Sequence, residues 1–186
     1  GARQALILMS ERATQADQLL QENARLRGLL GLRDRLVTSA QAAQILYDSA
    51  DPYTRRVVVD QGGSHGVEIG SPVMDESGVL GQVTRVYPYL GEVTLLTDRE
   101  QAIPVLNSRT GARGVAYGDP AASHGGGMEL RFVSANADVK EDDVLTTSGL
   151  DGVYPPGLPV ARVLHVERRA DSAFARIYCR PIAQIE

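Results

Sequence analysis

The side chains of this sequence that could do covalent chemistry are few and poorly spaced for it. Three histidines are present, His65, His124 and His165. His65 sits in the glycine turn QGGSHGVEIGS, His124 in the loop AASHGGG and His165 in a strand-like run. None has a second metal-type ligand at close turn or helical spacing, so neither a zinc site nor any other cofactor is expected. Thr147-Ser148-Gly149 is the one stretch resembling a nucleophile turn. It lacks the flanking glycines that would aim backbone amides at an oxyanion, and Ser148-Gly149 reads instead as a turn closing a strand. The glycines at 125 to 127 precede a strand, not a helix, so they form no phosphate cradle. Asp138, Glu141, Asp142 and Asp143 read as a solvated acidic turn, with no isolated pair suited to general acid–base work. Cys179 is the sole cysteine, which excludes an intrachain disulfide. It shares one face of an alternating strand with Ala175 and Ile177, as a small core residue would.

Composition narrows the class further. The chain has 186 residues, 43% hydrophobic and 23% charged, an ordinary globular balance. A formal charge of −4 argues against a nucleic-acid module, which needs a basic surface to neutralise phosphates. Arg25, Arg27, Arg33 and Arg35 cluster near a helix end, where they complement its dipole. No run approaches the roughly 20 apolar residues of a membrane span. The first residue is Gly1, so the sequence reads as a fragment from which a membrane anchor is absent.

Two kinds of element must position whatever this chain binds. Residues 4–32 carry an apolar stripe at helical spacing without a proline, predicting a helix within a first segment, 1–38. Met9, Ala16, Asn23 and Leu30 fall on one heptad core position; Ala5, Leu19 and Leu26 fall on the other, with Arg12 a misfit. Asn23 in an apolar seam would fix register and strand number in a coiled coil. The alternative is that it lies on the solvated edge of a helix packed against its own domain. Leu19, Asn23, Leu26 and Leu30 are the candidate self-association residues, pairing the chain with a second copy.

From Ala42 the texture changes to short apolar runs broken by turn residues every eight to twelve positions, the mark of a sandwich or barrel. Strands are predicted at Gln44–Tyr47, Arg55–Asp60, Pro72–Met74, Val79–Val86, Glu92–Thr97, Ile103–Asn107, Gly114–Tyr117, Met128–Val133, Asp143–Thr147, Pro159–Arg168 and Ala173–Arg180. Gly81 inside a strand predicts a bulge or close backbone approach. The loop from Ala121 to Gly127 reads as the most flexible piece, with little to order it. The fold class expected is mainly β: an N-terminal coiled-coil helix and then two small antiparallel β-barrels.

Several stretches together resemble the MreC family of bacterial rod shape-determining proteins. Glu22-Asn23-Ala24-Arg25-Leu26-Arg27-Gly28-Leu29-Leu30 resembles its E-N-x-x-L-x-x-L-L signature. Val58-Val59-Asp60-Gln61-Gly62, Gly66-Val67, Gly70-Ser71-Pro72-Val73, Gly78-Val79-Leu80-Gly81-Gln82-Val83 and Val93-Thr94-Leu95-Leu96-Thr97-Asp98 follow in the family's order. Thr147-Ser148-Gly149-Leu150-Asp151-Gly152-Val153-Tyr154-Pro155-Pro156-Gly157-Leu158-Pro159-Val160 resembles T-S-G-x-x-G-x-(F/Y)-P-x-G-(I/L)-P-V. Asp142-Asp143 stands where Gly-Asp is common, and Ala161 where a glycine often follows P-V.

The resemblance implies a bitopic inner-membrane protein with a short cytoplasmic end, one membrane helix and this portion in the periplasm. It implies a non-enzymatic scaffold of the cell-wall elongation complex that self-associates as a homodimer or filament, with penicillin-binding protein 2, MreD and RodZ as partners. It also implies barrels at 54–110 and at 40–50 plus 111–186, the second discontinuous. Two other classes join the same elements: a chymotrypsin-like two-barrel hydrolase, which would use Ser148, and a periplasmic efflux adaptor. An adaptor needs a helical hairpin between lipoyl half-motifs, and this chain offers one helix at its start.

Overall fold

Among the described residues, short β-branched runs bounded by glycine and aspartate turns form twelve strands, paired throughout antiparallel. The computed structural model describes residues 5–8, 40–48, 51, 53–121 and 125–184. In the first sheet are β1 (Ala5–Leu8), β2 (Gln41–Asp48), β3 (Arg56–Val59), β4 (Pro72–Met74), β5 (Val79–Val86) and β6 (Gly91–Leu95). Strands β2-β3-β6-β5-β4 curl into a half-barrel, and β1 pairs with both β2 and β4 to close it. The second sheet comprises β7 (Ala102–Asn107), β8 (Arg113–Gly118), β9 (Met128–Ser134), β10 (Val144–Thr147), β11 (Pro159–Glu167) and β12 (Phe174–Pro181). It is a closed six-stranded barrel in the order β10-β11-β12-β9-β8-β7.

Three placements differ from the sequence reading. The helix expected over residues 4–32 does not hold at its start, because Ala5–Leu8 is extended. There it supplies ladder partners to β2 and β4, which would otherwise be exposed sheet edges. The remainder of that helix, with Leu19, Asn23, Leu26 and Leu30, lies outside the described residues. The strand within 40–50 does not join the C-terminal barrel. It pairs with β3 through Ile45↔Val59 and Tyr47↔Val58, and the Gln44 amide donates to Asp60 Oδ1 at 2.8 Å. A short connection favours pairing of consecutive strands, which outweighs the long return to the second sheet. By the same rule β7, expected within 54–110, belongs with β8 in the second barrel.

Each sheet closes on its own core. Val57, Val59, Val73, Val83 and Val93 fill the first, all at most 2% exposed. Ile103, Val105, Leu145, Val160, Val163, Ile177 and Cys179 fill the second. The chain returns to the first barrel at its end: Ala183 packs into that core, and the Gln184 amide donates to Asp75 Oδ2 at 2.7 Å.

Local chemistry accounts for the glycine-rich motifs. A methyl group on Gly81 would overlap the Thr94 carbonyl of the neighbouring strand, so this position is the close approach that its sequence context predicts. The segment from Thr147 to Pro159 wraps around one side chain. Thr147 Oγ1 donates to the Pro155 carbonyl and accepts from the Leu158 amide at 2.8 Å, fully buried. The loop at 121–127 is not loose throughout: a methyl on Gly126 would overlap the Cys179 carbonyl, which seats that residue hard against β12.

Candidate interaction surface

The residues that could have carried catalysis are occupied structurally. Ser148 Oγ accepts the Leu150 amide at 3.3 Å, which is a local turn contact. His65 Nδ1 accepts the Gly62 amide at 2.9 Å and caps the short 3-10 turn Gly63–His65. Cys179 is fully buried, and burial pushes its thiol up to about 12, leaving it protonated and inert. Among the described residues no group of three or more histidine, cysteine or carboxylate side chains could hold a metal ion. His124 lies outside the described residues.

The acidic stretch behaves otherwise than its composition suggests. Asp143 is buried, not solvated. It accepts Arg109 Nε at 2.8 Å, an Arg109 terminal nitrogen at 2.9 Å, Asn107 Nδ2 at 2.8 Å and the Lys140 amide at 2.9 Å. Arg109 also forks onto Asp138, at 3.0 and 3.1 Å. The Arg109 hydrogen bond, and after it those from Asn107 and Lys140, hold the Asp143 carboxyl far below the usual range against the opposing cost of burial. The constellation is a strut between the β7–β8 turn and the approach to β10. Asp142 beside it takes φ 73°, a left-handed conformation that suits glycine.

What the described surface does present is aromatic. On β9 the pairing with β12 runs from Ala175↔Val133 to Ile177↔Leu130, so Arg131 and Phe132 together oppose the single residue Arg176. That is a β-bulge, and Phe132 adopts φ 61° in it. Strict alternation would turn Phe132 inward with Leu130; the extra residue turns it outward, where it is 75% exposed. Its ring meets that of Phe174, 52% exposed, edge to face at 6.1 Å.

Beside Phe132 the mouth of the second barrel opens as a cleft of about 200 Å³. Its floor includes the core residues Leu130, Val139 and Leu145, and its rim includes Arg113, Arg131 and Phe132. The Arg131 guanidinium lies 4.5 Å from the centre of the Tyr117 ring and 3.7 Å from Glu129. A second aromatic feature marks the first barrel, where Tyr89, 71% exposed, meets His65 edge on at 6.3 Å.

The sequence reading placed its site on Leu19, Asn23, Leu26 and Leu30, which the described residues do not include. It missed Phe132 and Phe174, because the run Met128–Val133 alternates like a regular strand. No glycine or asparagine marks position 132 as a left-handed residue. The one available hint was compositional: the chain has only two phenylalanines, and a core of this size would be expected to use them.

Comparison with known proteins places this architecture. Residues 45–186 match the family model "Rod shape-determining protein MreC, barrel core". The cell shape-determining protein MreC of Escherichia coli K12 is 37% identical over 184 residues, covering 99% of this chain and 49% of that protein. The chain spans about half the length of the curated relatives it matches. The crystal structure of MreC from Pseudomonas aeruginosa is 39% identical with a TM-score of 0.73, over 77% of this chain and 90% of that one. Two more distant structures share the fold alone. One, 20% identical with a TM-score of 0.62, is the major periplasmic domain of a cell shape-determining filament MreC, over 76% of this chain and 86% of that one. The other, 16% identical with a TM-score of 0.56, is MreC from Helicobacter pylori in complex with penicillin-binding protein 2, over 77% and 87%.

Proposed function

The chain belongs to the MreC family of rod shape-determining proteins, and from that premise we propose that it is a non-enzymatic periplasmic scaffold of the cell-wall elongation complex. The observation that carries this reading is Phe132. An aromatic side chain held outward on a left-handed backbone costs on the order of 1–2 kcal/mol, and such strain points to a functional surface. The relative solved with penicillin-binding protein 2 supports that transpeptidase as the partner, and the periplasmic domain of another relative supports the location. MreD and RodZ enter as further partners through the family resemblance. Nucleic acid does not, given the net charge of −4. Among the described residues no helix is long and apolar enough to cross a membrane.

A scaffold can activate an enzyme only by binding its active conformation more tightly than its inactive one. Coupling of the usual size would raise activity about fivefold or more. The test is peptidoglycan crosslinking by penicillin-binding protein 2 with and without this chain. No change at saturating chain concentration would sink the reading.

Self-association through Leu19, Asn23, Leu26 and Leu30 belongs to the same proposal. A dimer or filament would place several weak binding surfaces side by side, which raises effective concentration. Leu26→Asp puts a charge into the seam and is expected to abolish dimerisation in sedimentation velocity, with the β-sheet circular dichroism unchanged. A variant that sediments like the parent would remove the seam from the account.

A further inference from the structure

We infer that the cleft at the mouth of the second barrel, between Phe132 and the start of β8, takes one large apolar side chain from a partner protein whose neighbouring residues are acidic. The inference rests on the scaffold reading and deepens it by naming the contact and its chemistry. Volume comes first. An apolar cavity of about 150 Å³ accepts a benzene-sized molecule, and this cleft holds about 200 Å³ over Leu130, Val139 and Leu145. Its size therefore suits a single leucine or phenylalanine side chain, not a small-molecule substrate with many polar groups.

Charge comes second. The charged residues lining this cleft are Arg113 and Arg131, and no carboxylate lines it. Arg131 is tied to Glu129 and to the Tyr117 ring, which holds its guanidinium in place at the rim. Arg113 is exposed and has no ion-pair partner among the described residues. Arg176, across the bulge, lines a neighbouring pocket with Glu167 and Asp171 and is not part of this rim. Carboxylates beside an apolar anchor would meet the Arg113 and Arg131 guanidiniums. Phe132, its ring braced by that of Phe174, would cover the anchor and exclude water from it, the arrangement found where a few aromatic and arginine contacts dominate binding.

Among the described residues, the chain's own exposed aliphatics fit less well. Leu46 lies between Ile45 and Tyr47, Ile69 follows Glu68 but precedes Gly70, and Leu150 precedes Asp151 but follows Gly149, so none has a carboxylate on both sides. The occupant is accordingly a different protein and not a second copy.

The test uses the 186-residue chain and the soluble periplasmic part of penicillin-binding protein 2 as the probe, with binding followed by calorimetry or interferometry. Phe132→Ala is expected to weaken binding at least tenfold. Arg113→Glu with Arg131→Glu is expected to weaken it tenfold or more at low salt, and added salt should narrow the gap by screening the new repulsion. Tyr89→Ala, on the other barrel, should stay within twofold of the parent. Phe132→Gly separates function from architecture: glycine accepts φ 61° freely, so this variant should melt no lower than the parent while binding falls as for alanine. Parent binding with no loss in either Phe132 variant overturns the inference and leaves the scaffold reading standing. No binding by the parent overturns both. Loss of self-association in Phe132→Ala with partner binding intact would assign the cleft to a second copy and overturn the inference too.

Discussion

Asp143→Ala is expected to cost about 2 kcal/mol of folding stability, the scale for leaving buried hydrogen-bond donors without their acceptor. The residue accepts four hydrogen bonds from three residues, and its loss strands all of their donors at once. Asn107 Nδ2 loses its acceptor in a buried site, and the Arg109 guanidinium keeps only the exposed half of its fork, on Asp138. Equilibrium urea denaturation of parent and variant measures the difference. The pH dependence gives an independent check. Hydrogen bonding by Arg109 depresses the folded-state carboxyl far below its unfolded value of about 3.9. A depressed folded value means that the contribution is fully present above the unfolded value and is lost as pH falls toward the folded one. The parent should therefore lose stability on acidification below about pH 4 more steeply than Asp143→Ala does. Equal slopes in that window would mean that the strut contributes nothing through its charge.

This strut also shows where reading the sequence stops. The acidic run at 138–143 looks solvated because its local composition is polar. What buries Asp143 is Arg109, 34 residues away, and no spacing rule connects the two. The strands were legible for the opposite reason. Alternation is a local property, so Pro72–Met74 and Val79–Val86 fall where expected, and the inward face of β12 carries Ala175, Ile177 and Cys179 as its pattern requires. Which strands pair is not local. β2 reads equally well as a strand of either barrel, and only the short connection to β3 decides it. The outward turn of Phe132 lies beyond both kinds of reading. It needs one extra residue opposite Arg176, and an alternating run of side chains carries no sign of that insertion.

Leu96→Ala should have a comparable effect by another route, since a buried leucine truncated to alanine typically costs 2–5 kcal/mol. Leu96 is fully buried and follows β6 of the first barrel, yet it packs in the core of the second. Its neighbour Leu95 packs in the first core. The hairpin beside it repeats the division: Val79 enters the second core, Leu80 the first, and the Leu96 amide donates to the Leu80 carbonyl at 2.8 Å. Two adjacent pairs, each split between cores, thus clip one barrel to the other. Truncating Leu96 removes packing from the second barrel and from the clip together. The second barrel should then open independently. Cys179, fully buried in that barrel, is a built-in reporter. In the parent, its reaction with a thiol reagent across a urea titration should track the loss of circular dichroism. In Leu96→Ala the thiol should react at lower urea than the midpoint by circular dichroism. Coincident midpoints in the variant would show that the other junction, Ala183 and Gln184 on the first barrel, holds the barrels together without the clip. A scaffold that presents its second barrel to a partner while its first stays fixed needs this junction to transmit orientation, so separate unfolding should also weaken partner binding although the aromatic cleft itself is untouched.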